Sequence, residues 1–87
     1  MSTFSIEGPM TIYQAAAQKG ALVEALERAP RIEIDLSGVT EMDTAGVQLL
    51  VMVKREAAAA RKEAVFTGHS RAVLDVLEGY RIQQERT

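Results

Sequence analysis

The sequence predicts a small α/β domain built on a mixed, mostly parallel four-stranded sheet, with helices packed mainly on one face, and three patterns carry that prediction. Short segments such as Phe4-Ser5-Ile6-Glu7 and Arg31-Ile32-Glu33-Ile34-Asp35-Leu36 alternate apolar and polar residues, the period that sends successive side chains to opposite faces of a strand. Longer segments between them repeat their apolar residues at helical spacing. Strands that alternate with helices of about ten or more residues are joined by crossovers, which makes neighbouring strands parallel.

The elements follow in order. Phe4 to Glu7 reads as a strand that Gly8-Pro9 breaks with a turn, and Met10-Thr11-Ile12 as a second short strand pairing back on the first. From Gln14 to Ala29, the residues Ala15, Leu22, Leu26 and Ala29 fall on one helical face, with Lys19, Glu24, Glu27 and Arg28 mostly elsewhere. Gly20 lies inside this helix at a cost of roughly 1 kcal/mol relative to Ala, and Pro30 stops its continuation. Arg31 to Leu36 is a strand whose aliphatic side chains share one face, after which Ser37-Gly38 turns the chain. Thr40 to Gly46 reads as a polar loop in which Asp43 or Thr44 supplies a capping oxygen to a long helix over 44–62. Ala64 to Thr67 is a further short strand. Ser70 caps a last helix in which Val73, Leu74 and Leu77 share a face and Gly79 marks the end. The chain is read as a single domain over 1–87, with an ordered core at about 4–80 and a frayed polar tail at 83–87.

Composition narrows the function. An 87-residue chain builds one core, since a domain of this size buries only about 60% of the surface its unfolded chain exposes. Apolar residues at 47% with charged residues at 25% place it among folded globular chains rather than disordered ones. The net charge of −2 comes from interspersed acids and bases, with no basic run to track a phosphate backbone, so nucleic acid is not the expected partner. There is no cysteine, which removes disulfides and thiolate chemistry and fits a reducing compartment. The N-terminal residues lack the pattern of a signal peptide, and the strongest apolar run, Val47 to Val53 broken by Gln48, is far shorter than the roughly 20 residues a membrane span needs. The expected location is the cytoplasm, without membrane insertion.

Catalytic constellations are sparse. His69 is the only histidine and, between Gly68 and Ser70, reads as a loop residue rather than a general base. Gly38 and Gly46 lack the spacing and the Lys-Ser/Thr ending of a phosphate loop. Asp35, Glu41 and Asp43 are close enough in sequence to hold Mg²⁺ but are read as capping and solvated loop groups. No metal, cofactor or enzymatic activity is expected.

The information lies in the run from Asp35 to Leu50. A hydroxyl at Thr44 stands at the positive end of the helix, where a phosphate is stabilised by the dipole and free N–H groups while Asp43, Asp35 and Glu41 oppose its charge; the same hydroxyl is also read as a simple cap. Ala45, Leu49, Leu50, Val53, Ala57 and Ala60 span the core-facing arc of this helix, leaving Val47 and Val51 on another side with Gln48 and Arg55 beside them. If exposed, these valines form an apolar strip that Met42 extends, of the kind that marks partner interfaces.

Ile34-Asp35-Leu36-Ser37-Gly38-Val39 followed by Met42-Asp43-Thr44-Ala45-Gly46-Val47 resembles the signature of STAS domains, especially stand-alone anti-sigma factor antagonists. In that family a D-[ST]-x-G tetrapeptide opens the helix after a D-x-S-x strand end, and the resemblance runs from about Phe4 to Tyr80. It implies a non-enzymatic partner switch that binds a kinase-type anti-sigma factor, with Thr44 as phosphoacceptor and Met42, Asp43, Thr44, Val47, Val51 and Arg55 as the partner-binding surface. Antagonists usually carry Ser where this chain has Thr44, which is closer to the STAS subunit of the lipid-asymmetry ABC transporter. The alternative implied is therefore a constitutive subunit docked on a transporter ATPase. Nucleotide binding has been attributed to some relatives, and nothing in these residues supports it specifically. The sequence does not settle oligomeric state.

Overall fold

The computed structural model describes residues 2–85, with side-chain detail through Gly79. The elements are β1 (Ser2–Met10), α1 (Ala15–Arg28), β2 (Arg31–Met42), α2 (Thr44–Ala59), β3 (Glu63–Thr67) and α3 (Arg71–Glu85). Among the described residues the sheet has three strands in the order β1-β2-β3, with both pairings parallel. The expected fourth strand is absent: Met10 is the last residue of β1, and Thr11 to Gln14 form a turn.

The reason lies in two competing local signals. Thr11-Ile12-Tyr13-Gln14 has the S/T-x-x-E/Q pattern of a capping box, and the Gln14 Oε1 atom accepts from both the Thr11 N–H, at 3.2 Å, and the Thr11 hydroxyl. The amide of Ala15 donates to the Thr11 carbonyl at 3.0 Å, starting the turn that leads into α1. Gly8-Pro9 does not end β1. Gly8 adopts φ +82°, and Gly8 and Pro9 pair with Val39 and Glu41 across a register shift. Proline's missing N–H is tolerated because β1 is an edge strand.

β2 is likewise longer than its alternation indicates. Ser37-Gly38 is a bulge rather than a turn, and the segment from Thr40 to Met42 belongs to the strand rather than to a loop. Between Ser5 and Glu7, β2 advances from Asp35 to Gly38; between Gly8 and Pro9 it advances from Val39 to Glu41, one extra residue each time. Such bulges bend a strand and re-aim its side chains, so Leu36, Val39 and Met42 all turn inward.

The buried residues form one cluster. Ile32, Ile34 and Leu36 from β2 meet Leu22 and Leu26 of α1, with Leu49, Leu50 and Val53 of α2 in the same cluster. Each fully buried aliphatic side chain contributes about 1.5–3 kcal/mol. The other face of β2 carries Glu33 and Asp35, where the Thr67 hydroxyl donates to the Glu33 carboxylate at 2.8 Å. α3 packs against β2, buries Val73 and is capped by Ser70, whose Oγ accepts from the Val73 amide at 3.3 Å. Leu74, expected on the same face, is 48% exposed. Gly79 does not end α3, which runs on through Glu85 and so takes in residues 83–85 of the expected frayed tail; Arg86 and Thr87 lie outside the described residues.

α2 stops at Ala59, short of the expected Lys62, by a Schellman motif. The Lys62 amide donates to the Ala57 carbonyl at 2.8 Å and the Arg61 amide to the Ala58 carbonyl at 3.1 Å, with Arg61 in the left-handed region at φ 57°. The Lys62 ammonium also reaches the Leu26 carbonyl in the last turn of α1. A non-glycine residue in this conformation is strained by roughly 1–2 kcal/mol. The substitution Arg61→Gly is expected to stabilise the domain by about 0.5–1 kcal/mol, after allowance for the greater freedom glycine gives the unfolded chain; urea denaturation measures it, and a lower midpoint would contradict the strain.

Candidate functional site

The ends of β1 and β2 meet the first turn of α2, and Asp43 joins them. Its Oδ1 accepts from the Gly46 amide at 3.2 Å, an N-cap, while its Oδ2 accepts from the Ile12 amide in the β1–α1 turn at 3.1 Å. Its own amide donates to the Met10 carbonyl at 3.3 Å. One residue thus fixes the start of α2 and the conformation of the neighbouring turn.

Gly46 allows this closeness. A Cβ at that position would stand 2.5 Å from the Met10 carbonyl oxygen and 3.0 Å from Met42 Cγ. The glycine of Asp43-Thr44-Ala45-Gly46 is therefore required by packing of the helix on the end of β1, whatever the site does.

Because Asp43 is the cap, Thr44 does not serve as one. It is the first residue of α2, it is exposed, and among the described residues its hydroxyl makes no hydrogen bond. The Thr44 and Ala45 amides, in the first turn, have no intrahelical acceptor. The hydroxyl therefore stands free at the positive end of the helix dipole.

The strip expected beside it is rearranged. Val47 and Met42 are buried, at 6% and 8% exposure, Met42 because β2 extends through it and Val47 because the first turn of α2 is drawn against the strand ends. Val51 and Arg55 are exposed, and Val47, Val51 and Arg55 line an open groove of about 630 Å³ along α2. A second groove of about 300 Å³ runs between α1 and α2, where Ala16 and Lys19 face Ala45, Gln48 and Met52.

Two surface residues escaped the sequence reading. Ile12 and Tyr13 are 69% and 91% exposed, in the turn that Asp43 holds beside Thr44. Their visible signal was the capping box around them, which removes both from a strand and leaves them outside the helix.

Asp35 lies further back on β2. Its carboxyl is held below the ordinary carboxylate range by the Ser37 amide, which donates to Oδ1 at 2.9 Å, then by the Ser37 and Ser5 hydroxyls, with desolvation opposing them. Glu41 and His69 are exposed, His69 in the loop after β3. Among the described residues no group of three or more His, Asp or Glu side chains is placed to hold a metal ion, and no helix is long and apolar enough to cross a membrane.

A parallel α/β sheet whose central strand runs into an aspartate-capped helix with a free threonine at its first position defines a small α/β module with its distinctive surface at one helix N-terminus. The chain belongs to the STAS domain family: the family model described as "Mlab, STAS domain" matches residues 2–84. The unphosphorylated form of the anti-sigma factor antagonist SpoIIAA has the same fold, with a TM-score of 0.73 at 18% identity, over 90% of this chain and 70% of that one. The crystal structure of Mglu matches with a TM-score of 0.68 at 19% identity, over 79% of this chain, which spans only 17% of the Mglu chain. At these identities the likenesses concern the fold alone. No curated protein sequence matches.

Two outcomes follow from this geometry. Gly46→Ala is expected to destabilise the domain by about 2–4 kcal/mol, because the backbone oxygen that the new methyl meets is held in β1; a thermal melt within a degree or two of wild type would refute the close approach. The low Asp35 pKa adds stability that is fully present above the unfolded carboxylate pKa and is lost as pH falls through the lower folded value. Asp35→Asn is therefore expected to flatten the loss of stability below about pH 4, read from denaturant midpoints at neutral and acid pH.

Proposed function

We propose that this protein is a non-enzymatic, cytoplasmic binding module of the anti-sigma factor antagonist kind, formed by a single STAS-like domain over 1–87, which binds a kinase-type anti-sigma factor and is switched by phosphorylation of Thr44. The observation that carries the reading is the division of labour at the start of α2. Asp43 does the structural capping, so the exposed Thr44 hydroxyl can be modified without undoing the helix. A phosphate there adds a charge of about −2 and three acceptor oxygens. It gains from the helix dipole and the free first-turn amides, while the adjacent Asp43 carboxylate opposes it. The fold survives and the surface offered to a partner becomes more negative.

The binding surface in this reading is Thr44 with Asp43 behind it, the exposed Ile12-Tyr13 turn, and Val51 and Arg55 along α2. Met42 and Val47 act from beneath, by holding the helix that presents the others. Exposed aromatic and apolar side chains beside charged ones are the usual material of binding hot spots.

A second reading is favoured by the family description that matches and by threonine rather than serine at position 44. Here the same surface is a permanent interface on the ATPase of an ABC lipid transporter.

Affinity capture from native cell extract with wild-type and Thr44→Glu baits, together with the intact mass of the endogenous protein, tests the proposal. A switch predicts a kinase-like partner whose capture falls about tenfold or more with Thr44→Glu, and a phosphorylated fraction. A transporter ATPase held equally by both baits, with no added mass, would establish the permanent subunit and reject the switch.

A further inference from the structure

We infer that a second copy of this chain pairs antiparallel with the free edge of β1, forming a two-fold dimer with one continuous six-stranded sheet. Among the described residues β1 pairs only with β2, so its outer edge presents a row of backbone N–H and C=O groups that another strand can satisfy. Proteins protect such edges with prolines, bulges and charges. β1 has all three devices, but only in its second half: the charge of Glu7, the left-handed Gly8, Pro9, and the two register shifts beyond Ser5. The first half, Ser2 to Ile6, carries no charged side chain, and within it Ser2 to Ser5 pair in unbroken register with Ile32 to Asp35. Its Phe and Ile suit a strand.

The sequence of that half is self-complementary. Antiparallel pairing about Phe4 sets Phe4 against Phe4 of the other copy, Thr3 against Ser5, and Ser2 against Ile6. Aromatic pairs and hydroxyl pairs directly opposite each other are both favourable, and no like charges meet. The edge also borders a groove of about 390 Å³ between β1 and α1, in which half-buried Phe4 lies with Ile32, Ala21 and Ala25. An added strand brings its own Phe4 to this groove. Glu24 and Arg28, paired with each other at its rim, give each copy both signs of charge to present to its partner. The paired half ends at Ile6, four residues short of Met10 in β1, about 13 Å at 3.3 Å per residue. The pairing thus stops short of the strand end that meets Thr44, and the dimer leaves that surface uncovered in both copies.

Sedimentation equilibrium of the full chain tests this, with cysteine variants to report register, since the chain has no cysteine of its own. The expected result is a concentration-dependent mass of twice 9.5 kDa, with the dissociation constant raised about tenfold or more by Thr3→Lys, a charge placed on an exposed edge position. Phe4→Cys, at the two-fold axis, is expected to cross-link to a covalent dimer under mild oxidation. Glu7→Cys is not, because the two introduced thiols lie about 20 Å apart in this register. Circular dichroism confirms that each variant is folded; should Phe4→Cys not fold, the pair Thr3→Cys with Ser5→Cys reports the same register. A monomeric mass at millimolar concentration overturns the inference. So does a dimer that Thr3→Lys leaves intact and that cross-links equally through both positions.

Discussion

The carboxylate of Asp43 accepts hydrogen bonds from two amides far apart in sequence, those of Ile12 and Gly46, while its backbone amide holds the Met10 carbonyl. The end of the edge strand, the end of the central strand and the start of α2 are all tied through this one residue. A carboxylate accepts several hydrogen bonds at once, and at a helix N-terminus its charge is favourable as well. Gly46 completes the arrangement by leaving no side chain between the helix and Met10.

This arrangement separates support from presentation. Asp43, Gly46, Met42 and Val47 are occupied with packing and capping. Thr44, Ile12 and Tyr13 are held in place by them and face solvent. Exposed residues on a short turn would ordinarily be mobile, but this turn is bonded to Asp43 at one end and closed by Gln14 on Thr11 at the other. A partner meeting it has little ordering entropy left to overcome. The sheet contributes at a distance, because the bulges in β2 lengthen the strand enough to deliver Met42 and Asp43 beneath the helix.

Much of this was legible from residue patterns. The alternation at Arg31 to Leu36, the helical periods on either side of it, the oxygen of Asp43 and that of Ser70 are local features with local causes, and the observed elements follow them. Misreadings occurred where a local signal had two meanings. Gly8-Pro9 is a turn dipeptide and also an acceptable edge-strand bulge; only the pairing with Val39 and Glu41 distinguishes them. Ser37-Gly38 is ambiguous in the same way. Met10-Thr11-Ile12 alternates like a strand, yet the capping interaction of Gln14 with Thr11 prevails. Gly79 resembles a helix end but lies within α3.

The sequence by itself determined the three helices, the central part of each of the three strands, the single aliphatic face of β2 and the family signature at the start of α2, because each depends on neighbours within a turn or two of chain. The tertiary structure alone decided that Val47 is buried while Val51, one helical turn later, is exposed: the strand ends enclose the first turn of α2 more widely than the second, and a helical wheel has no knowledge of where its helix starts against the sheet. It alone placed Ile12 and Tyr13 beside Thr44, through a hydrogen bond between residues 31 positions apart, and set the uncharged half of β1 at the edge of the sheet that the described residues form. Contacts between distant parts of the chain set these outcomes, and no local pattern of residue types encodes them.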